Sequence, residues 1–377
     1  MSRVNNLPSV TVETFTKIVE MQFKENNFRP IFGLGKGGIG KTESIKDLAS
    51  RLGVGYIDIR LLLYSETDLK GIPYPNNEHT KTVWLQNNIL PTEEKDGDTG
   101  ILVLDEITSC QRSVRTAAYQ LLNERKLGEY SLPPKWIIVC LGNGEEDGGD
   151  YNGIEGNFAN RCSVFNVVVD TETWKDWASN NGINELVLAF ISFKPEYLHS
   201  YNPDKDTDIL FASPRSWTGV SDILNKVEYD KDNMILQSRI IGNVGKEVGD
   251  TFVSFCKYKD QTVDPMNILK GNTEISIKQN EVLYITIQSC VKLMTERFTI
   301  EKEVGQISVD SVYYVANFIK WLVTQTSLDN AVMGIKDLLR NNKDTVKRII
   351  INPATNFRTI CPEWVQFINE HGDIFMN

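Results

Sequence analysis

The chain has 377 residues, of which 41% are hydrophobic and 24% charged, and its 40 basic and 50 acidic residues give a formal net charge of −10. This length predicts two or three domains, and the ordinary globular composition excludes disorder throughout the chain. The acidic balance disfavours binding to nucleic acid through its phosphates, and the longest apolar runs are too short to cross a bilayer.

Two further features of composition indicate where the protein works. The first ten residues lack an apolar stretch of the signal-peptide type. The six cysteines form no C-x-x-C pair and have no histidine at metal-ligand spacing; they are Cys110, Cys140, Cys162, Cys256, Cys290 and Cys361. This pattern predicts free thiols in a reducing compartment, the cytoplasm, rather than a disulfide framework or a metal site.

Predicted helices and strands alternate over the first 170 residues. Apolar residues at helical spacing predict a helix over residues 11–27. The following predicted elements are strand 30–32, helix 42–52 ended by Gly53, strand 54–60, strand 101–104, helix 113–123, strand 136–141 and strand 165–169. Glycine, proline and polar residues predict loops and short pieces over 64–99. The continuous apolar strands favour an α/β core with a mostly parallel sheet between helices.

The remainder of the chain is predicted to be helical. Helices are expected at 171–181, ended by Gly182, and at 214–225. Residues 278–377 are expected to contain three or four more, including 311–323 and 328–339.

A glycine-rich motif lies between the first core strand and its helix. Residues 35–42, GKGGIGKT, fit the phosphate-loop pattern G-x-x-x-x-G-K-[ST]. Glycines allow the backbone amides to surround a phosphate, and the following helix presents its positive end to the anion. Lys41 would contact the β- and γ-phosphates, and Thr42 would bind Mg²⁺. The residues predicted to bind ATP are Gly35, Gly37, Gly38, Ile39, Gly40, Lys41, Thr42 and Glu43.

Polar residues follow the next two buried strands. Asp105 and Glu106 follow strand 101–104, and Asn143 follows strand 136–141. The carboxyl edge of a parallel sheet is where ligands bind, so Asp105 is predicted to hold Mg²⁺ and Glu106 to polarise the attacking water. Asn143 would orient the water or the γ-phosphate. An ordinary acidic turn at Asp105 and an Asx-turn at Asn143 are the structural alternatives.

Two arginines complete the predicted catalytic set. Arg161 precedes strand 165–169, where it could contact a nucleotide in a neighbouring subunit, although a solvated surface arginine fits the position nearly as well. Arg215 follows Ser213, a good helix N-cap, and Pro214. A cation in the first turn opposes the helix dipole, which suggests an anion opposite it.

These residues, in this order, resemble the motifs of an AAA+ ATPase: Walker A at Lys41 and Thr42, Walker B at Asp105 and Glu106, then sensor 1, arginine finger and sensor 2. Residues 68–73 (DLKGIP), 117–122 (AAYQLL), 127–130 (LGEY) and 213–217 (SPRSW) are similar to the MoxR-type branch. This resemblance implies an α/β core over 1–169, an α-helical lid over 170–235 and a further helical region over 236–377. It also implies a ring, usually a hexamer, that remodels a client with a von Willebrand A-like partner.

One departure from that pattern leaves an alternative open. Gly37 and Gly38 stand where the MoxR-type branch often has Pro-Gly, and residues 36–42 resemble the deviant loop of ParA/MinD-type ATPases. That resemblance implies a dimeric switch on DNA or membrane, in which Lys36 would contact the partner's nucleotide. Glu106 and the lid-like segment 213–217 favour the AAA+ interpretation. A nucleotide-binding subunit with little turnover is the third alternative.

Overall fold

The computed structural model describes residues 7–144, 160–201 and 210–375, and the chain separates into two compact units. The first unit consists of residues 1–173 with 201–207, and the second of 174–200 with 208–377. The finer division into regions 1–169, 170–235 and 236–377 stays a prediction. Within the described ranges, no helix has both the length and the apolar character of a membrane span.

The first unit is built around a six-stranded sheet that is parallel throughout. The strands of this unit are β1 (Ser9–Thr11), β2 (Ile31–Leu34), β3 (Gly55–Arg60), β4 (Ile72–Pro75), β5 (Thr82–Leu85), β6 (Thr99–Asp105), β7 (Lys126–Leu127), β8 (Tyr130–Ser131), β9 (Lys135–Gly142) and β10 (Ser163–Val168). The sheet has the order β1-β10-β2-β9-β6-β3, while β4 with β5 and β7 with β8 form separate antiparallel pairs. The predicted parallel α/β core is confirmed.

Helices cover both faces of this sheet. They are α1 (Val12–Lys24), α2 (Lys41–Leu52), α3 (Glu66–Lys70), α4 (Glu93–Asp96) and α5 (Arg112–Glu124). Along β6, Val103 packs in the core formed with α1 and α2, whereas Leu102 and Leu104 pack in the core that contains α5 residues. Burying each such side chain contributes about 1.5–3 kcal/mol. A strand buried on both faces therefore needs the continuous apolar run that predicted it.

The second unit is helical. Its helices are α6 (Thr171–Asn180, which starts in the first unit), α7 (Glu185–Phe193), α8 (Pro214–Lys226), α9 (Met234–Val244), α10 (Lys246–Cys256), α11 (Pro265–Leu269), α12 (Asn280–Val304), α13 (Val309–Gln325), α14 (Leu328–Ile351), α15 (Phe357–Ile360) and α16 (Pro362–His371). Phe190 packs against Trp217 and Phe252, with ring centroids 5.4 and 5.1 Å away. Helix α7 was not predicted, because its uniformly apolar sequence has no helical period.

A buried group of charges joins helices within the second unit. Lys175 on α6 lies 3.0 Å from a carboxylate oxygen of Asp337 on α14, and Arg340 also contacts Asp337. Gln288 on α12 donates to the same carboxylate at 2.5 Å. Helix α14 continues to Ile351 rather than ending at the predicted residue 339, with a kink at Asn342, whose φ is −136°. The carboxylate is thus surrounded by donors, as a buried charge requires.

Candidate functional site

The phosphate loop has the backbone that its glycines predict. It connects β2 to α2, and Gly38 and Gly40 adopt φ values of +75° and +95°, which glycine accepts at little cost. Gly35 is required for a different reason, because a β-carbon there would lie 2.1 Å from the carbonyl oxygen of Val167. These positions therefore need glycine, and the strand-loop-helix context predicted for the motif is confirmed.

Lys41 is folded back onto this loop. It is the first residue of α2 and only 7% exposed. Its Nζ donates to the carbonyl oxygens of Gly35 and Lys36 at 2.6 and 2.8 Å. The N-cap is Gly40, a residue without a side chain to bond the first amides of the helix. The loop thus brings an ammonium group and the positive end of a helix together, the arrangement that binds phosphate.

Two of the predicted metal-binding side chains are in contact. Thr42 Oγ1 donates to Asp105 Oδ2 at 2.8 Å, although 63 residues separate them in the chain. Thr42 lies in the first turn of α2, and Asp105 is the last residue of β6. A hydroxyl and one carboxylate, completed by water and phosphate oxygens, are a donor set that suits Mg²⁺. The residues present therefore fit the ion.

Glu106 has an unusual backbone conformation. Its φ is +56°, in the left-handed region that costs a non-glycine residue about 1–3 kcal/mol. Its amide donates to Asp105 Oδ1 at 2.8 Å, and its carbonyl accepts from the Ser109 amide at 3.0 Å. The next amide, that of Ile107, donates to Leu141 O at 3.1 Å. These bonds fix the backbone that carries the half-buried Glu106 carboxylate immediately after Asp105.

Asn143 lies between the two motifs because of the strand order. Strand β9, which Asn143 follows, pairs with β2 on one side and with β6 on the other. A β-carbon added to Gly37 would lie 3.9 Å from Asn143 Oδ1, so the carboxamide borders the phosphate loop. The structure thus brings Asn143 to the loop, and its role as a sensor stays a prediction.

Two residues of the predicted ATP-binding set direct their side chains elsewhere. Ile39 is 6% exposed and packs in the core with α1 and α2, so only its backbone is available to a phosphate. Glu43 is exposed, with its carboxylate 3.4 Å from Nζ of Lys46 one turn along α2. Their contribution to binding therefore stays a prediction.

Arg161 lies at the sheet edge opposite the phosphate loop. It is exposed and precedes β10, whose first residue, Ser163, pairs with Ile31 at the start of β2. The loop follows the other end of β2, about 13 Å further along the strand direction. Arg29 donates to the carbonyl oxygens of Asn160 and Cys162 at 2.9 and 3.1 Å and holds this turn. Residues 157–159, which precede this turn in the chain, lie outside the described residues.

Arg215 is in the second unit, in the first turn of α8. Ser213 caps this helix, because its Oγ accepts from the Ser216 amide at 3.3 Å while Ser216 Oγ accepts from the Ser213 amide at 2.8 Å. Pro214 is the first helical residue, so the predicted helix start is confirmed. The Arg215 side chain is exposed, and its predicted contact with a γ-phosphate stays a prediction.

The sequence analysis did not identify a further carboxylate near Asp105. Asp58 on β3 pairs with Val103 on β6, and strand alternation places it on the same face as Asp105. Asp58 is exposed as a residue, but the protein around its carboxyl partly desolvates that group and raises its pKa, and the negative charges of Asp105 and Glu106 raise it further. Burial also raises the pKa of Tyr56, to which the charge of Asp58 adds. The alternation of polar residues along β3 is the signal that could have identified Asp58.

We expect Asp58→Asn to raise the free energy of unfolding at neutral pH by less than about 1 kcal/mol, because Asp58 is exposed and solvent screens its charge. The folded chain holds the Asp58 proton more tightly than the unfolded chain. The parent therefore loses stability as the pH rises from 3.8, the ordinary value, through the higher folded pKa. The difference between variant and parent should appear over this interval and then stay constant.

Urea unfolding of both proteins at pH values from about 3 to 8, without magnesium, measures this difference. Asp47→Asn removes an exposed carboxylate from α2 and serves as the control. A stabilisation by Asp58→Asn as large at pH 3 as at pH 7 would contradict the prediction.

The chain is similar to solved structures but to no known family. No protein-family model and no curated protein matches the chain. Among solved structures, a candidate ATPase of Cytophaga hutchinsonii is 13% identical, with a TM-score of 0.32 over 93% of this chain and 89% of that one. The RuvB Holliday junction branch migration motor of Thermotoga maritima is 13% identical, with a TM-score of 0.35 over 78% of this chain and 81% of that one. Similarity this low does not indicate a function. The protein has a parallel α/β P-loop core in which the phosphate loop, Thr42 and Asp105 meet at one edge of the sheet.

Proposed function

We propose that this chain is an ATPase of the AAA+ class that hydrolyses ATP to ADP and phosphate with Mg²⁺. The observation that carries this proposal is the 2.8 Å contact between Thr42 at the phosphate loop and Asp105 at the end of β6. It joins the two halves of a nucleotide site that the sequence holds 63 residues apart. Glu106, next to Asp105, adds the carboxylate that transfer to water requires.

The geometry supports a specific division of labour. Lys41 and the first amides of α2 would hold the phosphates, and Thr42 and Asp105 would hold Mg²⁺, which supplies positive charge against the phosphate oxygens when bound. Glu106 would accept a proton from the attacking water, and Asn143 would orient that water from the end of β9. Arg215 would contact the γ-phosphate as sensor 2.

We further propose that the chain works as a MoxR-type ring that remodels or matures a client together with a von Willebrand A-like partner in the cytoplasm. The position of Arg161 supports a shared site. Because it lies at the edge opposite its own phosphate loop, it can complete a nucleotide site only in another copy of the chain. The helices that follow the sheet are consistent with a lid over 170–235 and a further region over 236–377.

A dimeric ParA/MinD-type switch is the second candidate, and the Gly37-Gly38 pair is the observation that favours it. In that case the half-exposed Lys36 would contact the partner's nucleotide. Its backbone carbonyl accepts a hydrogen bond from Lys41 at 2.8 Å. Glu106 favours the AAA+ proposal, since ParA-type enzymes usually lack this carboxylate.

Mixing two inactive variants tests the shared site directly. We expect Arg161→Ala to bind ATP normally but to hydrolyse it about 10³-fold more slowly, since an arginine finger neutralises charge in the transition state. Lys41→Ala should lose nucleotide binding at its own phosphate loop but keeps Arg161. In a randomly mixed ring, about a quarter of the interfaces combine an intact loop with an intact arginine, so activity should return to that extent.

Phosphate release by each variant alone and by equal mixtures measures the effect. Arg239→Ala, which removes another exposed arginine, should keep parental activity. Mixtures as inactive as their components, or full activity of Arg161→Ala alone, would exclude a role for Arg161 in trans. A parent chain without ATPase activity would exclude the proposed function itself.

A further inference from the structure

Thr108 is a buried side chain between the two halves of the candidate site. It lies in the turn that follows Asp105 and Glu106, and it is 1% exposed. Neither the sequence motif nor the mechanism above gives it a role. Thr108 follows β6, but its hydroxyl bonds to Asn143, which follows the neighbouring strand β9.

The first contact of Thr108 is with the end of β9. Its Oγ1 accepts a hydrogen bond from the backbone N–H of Asn143 at 3.1 Å. Its methyl group packs against Gly142 so closely that a β-carbon on that glycine would lie 2.7 Å from Cγ2 of Thr108. Gly142 O in turn accepts from the Gly35 amide at 3.2 Å. The side chain of Thr108 therefore supports the segment that carries Asn143 and borders the phosphate loop.

The second connection of Thr108 is to Glu106 through the backbone. The turn from Glu106 to Ser109 is closed by the Ser109 amide donating to Glu106 O at 3.0 Å. Within it, the Ile107 amide donates to Leu141 O on β9. Glu106 keeps its left-handed φ only as long as this turn is held. A shift at Thr108 would thus move Glu106 and Asn143 relative to each other.

We propose that Thr108 is a positioning residue for hydrolysis, which fixes Asn143 and the Glu106 turn in one geometry. This inference rests on the proposed function. A displacement of catalytic groups by about 1 Å costs up to 10²-fold in rate. The bond from the Gly35 amide to Gly142 O, which supports the phosphate loop, joins two backbone groups and does not use the Thr108 hydroxyl. Thr108 should therefore govern the rate of the chemical step and not the affinity for ATP.

Replacing Thr108 with valine tests the hydroxyl, because valine keeps the shape and the β-branch. We expect kcat of Thr108→Val to fall about 10–100-fold, with KM and the Kd of ATP within about threefold of the parent. Thr108→Ser keeps the hydroxyl and should recover most of kcat. Parental kcat in Thr108→Val, an equal loss of ATP affinity, or a Thr108→Ser as slow as Thr108→Val would overturn the proposal.

A double-mutant cycle with Asn143→Ala separates positioning from a general loss of structure. If Thr108 acts through Asn143, adding Thr108→Val to Asn143→Ala should reduce kcat by less than about threefold further. Effects that simply multiply would show that the two residues act independently and would overturn the coupling.

Amide hydrogen exchange tests the contact without turnover. In the parent, the backbone N–H of Asn143 should be protected from exchange. In Thr108→Val this N–H should exchange at least about tenfold faster, while the backbone N–H of Val139 within β9 should exchange at the parental rate. Unchanged exchange at Asn143 would refute the contact. If the parent does not hydrolyse ATP, the proposed function fails on its own, whatever the exchange result shows for Thr108.

Discussion

Lys41→Ala is expected to bind Mg·ATP at least about 100-fold more weakly than the parent, a loss of about 2.7 kcal/mol. The reason is the position of Nζ, which donates to two loop carbonyls and lies where phosphate oxygens would replace them. Charge-assisted hydrogen bonds to phosphate are about twice as strong as neutral ones, and the variant loses them together. Isothermal titration calorimetry with ATP and with ADP measures the change.

Lys46→Ala is the matched control for this prediction. Lys46 lies one turn and a residue further along the same helix, is exposed, and its ammonium lies 3.4 Å from Glu43. Such exposed pairs contribute little, so its removal should leave ATP affinity and thermal stability close to the parental values. Parental affinity in Lys41→Ala would refute the assignment of residues 35–42 as a phosphate loop.

Glu106→Gln should bind ATP as the parent does and hydrolyse it at least about 100-fold more slowly. The carboxamide has the same shape but cannot accept the proton of the attacking water, and general-base catalysis contributes about 10²–10⁴-fold. Glutamate and glutamine have the same conformational cost at the φ of +56° found at position 106, so the substitution should leave the fold unchanged. Filter binding of ATP and phosphate release together separate the two effects.

The ATP-trapped variant also tests assembly. Light scattering of Glu106→Gln with Mg·ATP should show a nucleotide-dependent assembly near six subunits, as a ring of the MoxR type requires. A dimer would favour the ParA/MinD alternative and make Lys36 the next residue to replace. A normal rate of hydrolysis in Glu106→Gln would remove Glu106 as the catalytic base. Glu106→Gly, which accepts the positive φ, controls for strain and should be equally inactive without being destabilised.

The residues of the phosphate loop could be predicted because their requirements are local. Glycines at positive φ, a lysine and a threonine at the start of a helix, and an apolar strand before them all act within about 12 residues of chain. The same holds for Asp105, which ends a continuous apolar strand, and for Ser213, which caps α8. In each case neighbouring residues decide the conformation, so the pattern in the sequence is sufficient.

Other features depended on residues that are distant in the chain. The left-handed φ of Glu106 is unfavourable for its residue type and persists because the turn bonds to β9. Asp58 lies on the same face as Asp105 only because β3 pairs with β6. Helix α7 is buried among aromatic residues of α8 and α10, and its uniform apolar sequence could not distinguish a helix from a strand.

The residues predicted to bind phosphate and magnesium, and the alternation of strands and helices around them, could thus be inferred from local patterns in the chain. Which of those residues lie in contact depends on the arrangement of the strands in the sheet. Strand order placed β9 between β2 and β6, so that Asn143 and Thr108 lie between the loop and Glu106, and placed Arg161 at the opposite edge. The physical reason is that local propensity and hydrophobic period act over a few residues, whereas register and strand order follow from burying both faces of one sheet.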